Sequence, residues 1–213
     1  VSGSDYETYV QQQVLQPLGI TNMKLGRTRW NQRQDGEVRY YHPGTDKSVF
    51  ASDLDHKVAS PYGAWHLEAM DAHGGWLASA VDLARLAAAL DRPEDCPILS
   101  AASIARMFER PPGAAGYDGE EPKSVYYGLG WQVRDVGKGN YNMWHSGSLP
   151  GTATMMIRRH DGQNFVALLN SRVSPSAAHL GLEIDQELHR AAAKVSEWPA
   201  IDLFDRTIQK EIQ

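Results

Sequence analysis

Apolar residues recur at helical spacing in three stretches and at strand spacing in a fourth region. Tyr6, Val10 and Val14 stand four residues apart, on one helical face, and Ser4-Asp5-Tyr6-Glu7 reads as a capping box ahead of them. Pro17 and Gly19 end that stripe. Leu83, Leu86, Ala87 and Leu90 fall at i, i+3, i+4, i+7, which predicts a second helix opened by the capping box Ser79-Ala80-Val81-Asp82. A third, shorter helix is expected from Ser100 through Ile104, Met107 and Phe108, stopped by Pro111-Pro112. Between the first two helices, residues from about 28 to 62 are polar, weakly periodic and interrupted by Pro43-Gly44, so they read as a long irregular excursion.

The period changes at Val125. Tyr126 to Val133, Asn142 to His145, Thr152 to Arg158 and Asn164 to Asn170 read as strands, and Asp161-Gly162 marks a hairpin because both residues tolerate positive φ. Ser174-Pro175 then starts a helix with Leu180, Ile184 and Leu188 on its buried side. The tail beyond Glu197 is expected to carry little order. Helices, then a run of strands, then a helix make an α+β chain: an antiparallel β-sheet flanked by helices. We divide it into a helical and loop region 1–124, a sheet 125–170, a C-terminal helix within 171–195 and a tail 196–213.

Composition narrows the classes without choosing among them. With 42% hydrophobic and 22% charged residues in 213, the chain can bury a core and is neither disordered nor collagen-like. No apolar run approaches the roughly 18 residues of a membrane span. A net charge of −5 with no basic stripe speaks against nucleic acid as a partner. Cys96 is alone, which rules out an internal disulfide and suits a small, mostly buried apolar role.

Four kinds of chemistry have candidate residues in the chain. The eight histidines include His42, His56, His66 and His73, but none shows a tight helical zinc spacing, so no metal or other cofactor is expected. The carboxylates are scattered and read as solvated surface. No serine begins a Ser-x-x-Lys, and the threonine version Thr21-Asn22-Met23-Lys24 falls just past a helix end, where chance explains it. There remains Trp144-His145-Ser146-Gly147-Ser148, a polar pair followed by glycine at what looks like a strand end. Glycine admits a close approach, histidine switches charge near neutrality and serine both donates and accepts. A plain hairpin turn with a surface histidine explains the same residues.

Several stretches together resemble one family, the class C type of serine β-lactamase with the DD-peptidases and family VIII esterases. They are Val1-Ser2-Gly3-Ser4-Asp5-Tyr6-Glu7-Thr8-Tyr9-Val10 with Leu15-Gln16-Pro17-Leu18-Gly19-Ile20; His73-Gly74-Gly75-Trp76-Leu77-Ala78-Ser79-Ala80-Val81-Asp82-Leu83-Ala84; Tyr127-Gly128-Leu129-Gly130-Trp131; and His145-Ser146-Gly147. The resemblance implies an acyl-enzyme hydrolase of esters, amides or β-lactams, acting on a small-molecule or peptidoglycan-like substrate, periplasmic or secreted. Of the three motifs such enzymes use, only the Lys/His-Thr/Ser-Gly strand is matched, by His145-Ser146-Gly147. The resemblance places Ser-x-x-Lys and Tyr-x-Asn upstream of Val1, so the chain is expected to be the C-terminal portion of a longer protein and its sheet to be incomplete alone. It further implies that His145 assists a proton relay or binds an acidic group of the substrate. Ser146 would bond the substrate's carboxylate or carbonyl, Gly147 would allow close approach, and the N–H of Ser148 would be an oxyanion donor. Histidine in place of lysine leans away from a dedicated β-lactamase, and a catalytically inactive binding relative is the alternative. An apolar face and unpaired edge near Tyr126 to Val133 would call for the missing portion or for self-association.

Overall fold

The computed structural model describes residues 2–174, 179–202 and 204. The first helix, α1 (Tyr6–Val10), runs on through a π-helical turn (Gln11–Leu15) and a 3-10 turn (Gln16–Leu18), and Gly19 closes it at φ 70°. Its cap is Asp5 rather than Ser4: the Asp5 carboxylate accepts the Thr8 N–H at 2.9 Å. Glu7 does not reach back either. It accepts the N–H of Leu25 at 2.8 Å, trading a local bond for one that ties the helix to the next segment. Leu15, Leu18, Ile20 and Met23 form the buried cluster beneath it.

Two short strands, β1 (Lys24–Leu25) and β4 (Trp76–Leu77), pair across the excursion. Within it a hairpin of β2 (Thr45–Lys47) and β3 (Lys57–Ala59) interrupts what the sequence presents as irregular. The box predicted for α2 (Ala80–Ala89) forms: the Ser79 hydroxyl accepts the Asp82 N–H at 3.1 Å and the Asp82 carboxylate accepts the Ser79 N–H at 3.3 Å. Helix α3 (Ala101–Phe108) is capped by Ser100 and ends before the prolines. A minimal hairpin follows, β5 (Tyr117–Asp118) with β6 (Glu121–Pro122).

The main sheet holds β7 (Val125–Tyr127), β8 (Gln132–Gly137), β9 (Asn140–Leu149), β10 (Thr152–Arg158) and β11 (Asn164–Leu169), all antiparallel, in the order β11-β10-β9-β8-β7. The single strand expected over Tyr126 to Val133 is therefore two, with a turn at Gly128–Trp131. Its apolar face is not exposed, because Tyr126, Trp131 and Val133 are buried, with Ile104, Met107 and Phe108 of α3 packed in the Trp131 cluster. Cys96 is half-buried against the same cluster. Among the named strands the long unpaired edge is β11, where the excursion meets only the far end, through the Tyr41 N–H donating to the Asn170 carbonyl.

Side chains alternate across a strand, so the sheet has two distinct faces. Helix α2 is latched to one by Arg158, 7% exposed, which donates to Asp91 at 2.9 and 3.2 Å; Asn164 donates to the other oxygen of the same carboxylate. Helix α4 (Leu180–Ala192) covers the opposite face, where His189 packs edge-on against Phe165. It starts at Leu180, later than Ser174-Pro175 suggests, and Pro175 lies outside the described residues. Of the tail, Phe204 rests against the Arg85 guanidinium and residues 205–213 lie outside the described residues. No described helix is long and apolar enough to cross a membrane.

Candidate active site

The His145-Ser146-Gly147-Ser148 segment lies inside β9 and not at its end, because the strand continues to Leu149. Its polar residues look like a turn in isolation, but seven successive residues, Met143 to Leu149, pair with Arg158 to Thr152. The hairpin closes at Pro150-Gly151. Proline supplies the φ wanted at the first central position and Gly151, at φ 93°, the positive φ wanted at the second, a type II turn whose closing bond joins Leu149 and Thr152. The alternation of antiparallel pairs then fixes the rest. Leu149, Gly147 and His145 direct their N–H and C=O towards β10, whereas Ser148 and Ser146 direct theirs to the other edge.

At that other edge β8 has already ended. Its register with β9 stops at Gln132↔Trp144. Among the described residues the first half of β9 is thus paired on both sides and the second half on one, and no strand pairs with the main chain of Ser146 and Ser148 on the β8 side. Such an edge can donate N–H bonds to a carbonyl oxygen or accept an extended chain.

The side chains divide between the faces. His145 shares the α3 face with Met143 and Met156, is exposed, and has Nε2 2.9 Å from the Tyr127 hydroxyl. Ser146 and Ser148 share the α4 face. With Gly147 they line a cavity of about 240 Å³ completed by Arg134, Trp144, Met155, His179, Gly181 and Asp185. There the Ser148 hydroxyl lies 3.0 Å from His179 Nε2, and the Arg134 guanidinium stands 4.7 Å over the Trp144 ring. The structure therefore brings Ser146, Gly147 and Ser148 together and sets the His145 ring on the other side of the strand. Gly147 has a packing reason of its own: a Cβ there would lie 2.5 Å from the Thr154 hydroxyl. No sequence pattern singles out Tyr127, Arg134, His179 or Asp185 as site residues. Tyr127 stood in a quoted motif, but 18 residues separate it from His145 and 31 separate His179 from Ser148, beyond any local pattern.

The profile of the Beta-lactamase family matches residues 1–189. The chain belongs to the Beta-lactamase family. Among solved structures it is similar to a penicillin-binding protein from Bacillus halodurans (TM-score 0.60, 14% identity, 89% of this chain and 50% of that one). It is similar also to a D-amino acid amidase from Ochrobactrum anthropi SV3 (0.59, 18%, 90% and 51%). A third is the octameric penicillin-binding protein homologue from Pyrococcus abyssi (0.56, 23%, 90% and 38%). At these identities the likeness concerns the fold, and the chain spans about half of such structures or less. No curated protein sequence matches it.

The excursion and its flanks hold a second, larger basin of about 890 Å³, lined by Arg27, Arg29, Phe50, Asp53, His66 and Glu68 among others. Arg29 binds Asp53 with both guanidinium nitrogens, and this bonding, with the Ser48 and Ser52 hydroxyls, holds the Asp53 carboxyl down to about 2. Burial pushes Glu68 up, but the hydroxyl and N–H of Thr28 outweigh it and its carboxyl is held low. These groups knit the excursion to itself, and its Tyr40 and Pro61 abut the hairpin tip, where a Cβ on Gly151 would lie 2.7 Å from Pro61. Among the described residues no group of three or more His, Cys, Asp or Glu could hold a metal ion.

Proposed function

We propose that this chain forms one wall of the cleft of a serine hydrolase that opens an ester, amide or β-lactam through an acyl-enzyme, with the nucleophile on polypeptide outside these 213 residues. The observation that carries the reading is the open edge of β9, in a Beta-lactamase family chain, which turns the Ser148 N–H towards a place where an acyl oxygen can sit. Removing one such donor from an oxyanion hole lowers kcat by about 10²–10³. The Ser146 hydroxyl bonds the substrate's carboxylate or carbonyl, with Arg134 on the same cavity as a cation for it. His145, on the other face, assists the proton relay. Gly147 keeps the strand slim between them. Acyl transfer to serine calls for no metal or cofactor.

The named activities of the amidase and the penicillin-binding proteins fit a small-molecule or peptidoglycan-like substrate, and with it a periplasmic or secreted setting. The unpaired β11 edge is to be covered by the rest of a longer polypeptide or by a second copy. A second reading, a binding relative without catalysis, is favoured by the lack of Ser-x-x-Lys in this chain. A fluorophosphonate and a fluorescent penicillin, applied to the full-length product of the encoding gene, separate the two. Covalent labelling of one serine is expected, and no label from either probe refutes the hydrolase. The 213-residue chain alone is expected to turn over no activated ester.

A further inference from the structure

We propose that Tyr127 is a positioning residue for His145, holding the imidazole by Nε2 so that Nδ1 is the nitrogen left for the proton relay. The inference rests on the reading above that His145 borders the cleft. Where β8 stops, His145 has no strand neighbour on the open side of β9, and the Tyr127 hydroxyl meets it there at 2.9 Å. The two rings stand edge to face, 5.9 Å apart at 70°. Tyr127 is 47% exposed, so burial does not account for an aromatic here.

Its mounting is rigid. The preceding residue, Tyr126, is buried, donates its hydroxyl to the Phe108 carbonyl at 2.8 Å and lies under Arg110. The turn after it is held to α3 by the Leu129 N–H donating to the Met107 carbonyl at 2.9 Å, and is closed by the Gly128 N–H donating to the Trp131 carbonyl at 2.8 Å. Gly128 fits only as glycine, since a Cβ would lie 2.4 Å from the Met107 oxygen. The phenol is thus held on β7 by bonds to α3, independently of β9, which carries His145. With the phenol oxygen accepting the Nε2–H, the Nδ1 lone pair takes up and releases the proton, and the same contact holds in the neutral and the protonated ring.

The test is long-range ¹H–¹⁵N NMR of the imidazole nitrogens in the purified chain, with His145 assigned through the H145Q variant. Wild-type chain is expected to show one hydrogen-bonded form of His145. Y127F is expected to move both nitrogens to the averaged positions of a ring exchanging between tautomers. Unchanged His145 nitrogens in Y127F overturn the proposal. Should Y127F unfold the chain, 3-fluorotyrosine at position 127 keeps the ring and makes the hydroxyl more acidic; it shifts the same resonances if the contact exists, and no shift overturns it. In the full-length hydrolase, Y127F is expected to lower kcat about 10-fold with KM unchanged. An unchanged kcat, or an effect confined to KM, contradicts it. An NMR effect in a protein that hydrolyses nothing sinks the proposed function and leaves Tyr127 the holder of the His145 ring.

Discussion

The two halves of β9 share one continuous strand and are structurally opposed. Asn140 to Trp144 is flanked by β8 and β10, and its Met143 joins the apolar cluster under α3. His145 to Leu149 keeps β10 but loses β8, and its serines turn their main chain outward. One strand is therefore paired on both sides at one end and on one side at the other. The difference comes from where a neighbour stops, since β8 leaves at Gln132 for a turn that α3 holds. A rigid half carries an open half, a sound way to hold N–H groups still for a substrate.

The largest effect on this arrangement should come from the latch on the closed side. Asp91→Ala leaves Arg158 buried without its carboxylate and is expected to cost about 3–5 kcal/mol in denaturant unfolding. Next, proline substitutions read the direction of each N–H. Gly147→Pro removes a donor from the β10 ladder, whereas Ser148→Pro removes one that faces outward, where proline is tolerated. Gly147→Pro should therefore destabilise the chain by about 1–3 kcal/mol more than Ser148→Pro. In the full-length hydrolase Ser148→Pro should instead abolish most of the turnover.

The smallest effect concerns the excursion beside the hairpin tip. The Asp53 carboxyl is held low by Arg29, so the folded state binds its proton less readily than the unfolded one. Its contribution is complete above about pH 4 and is lost as pH falls towards about 2. Asp53→Asn should remove that part of the acid sensitivity of Trp30 fluorescence, and an unchanged acid profile contradicts this role.

Much of the fold is legible in the sequence where the cause is local. The Ser79–Asp82 box, the α2 stripe, the strand Thr152–Arg158 and the Asp161-Gly162 hairpin are encoded within a few residues and appear as read. Misreadings fall where a distant partner decides. Glu7 would close a capping box, but the Leu25 N–H takes it. Tyr127-Gly128-Leu129-Gly130-Trp131 looks like continuous strand because its turn residue is apolar, yet Leu129 is 62% exposed while its own N–H anchors the turn to α3. Ser146-Gly147-Ser148 looks like a turn, yet β10 pairs with every residue of it. The candidate site was half legible for the same reason: the strand motif is contiguous, whereas Tyr127, Arg134 and His179 reach it only through the sheet and α4.

Amide hydrogen exchange along β9 tests the open edge most directly. Slow exchange is expected at Met143, Trp144, His145, Gly147 and Leu149, with Ser146 and Ser148 exchanging fast between protected neighbours. Equal protection at Ser146 and Ser148 would show that edge to be paired, and the oxyanion assignment would fall with it.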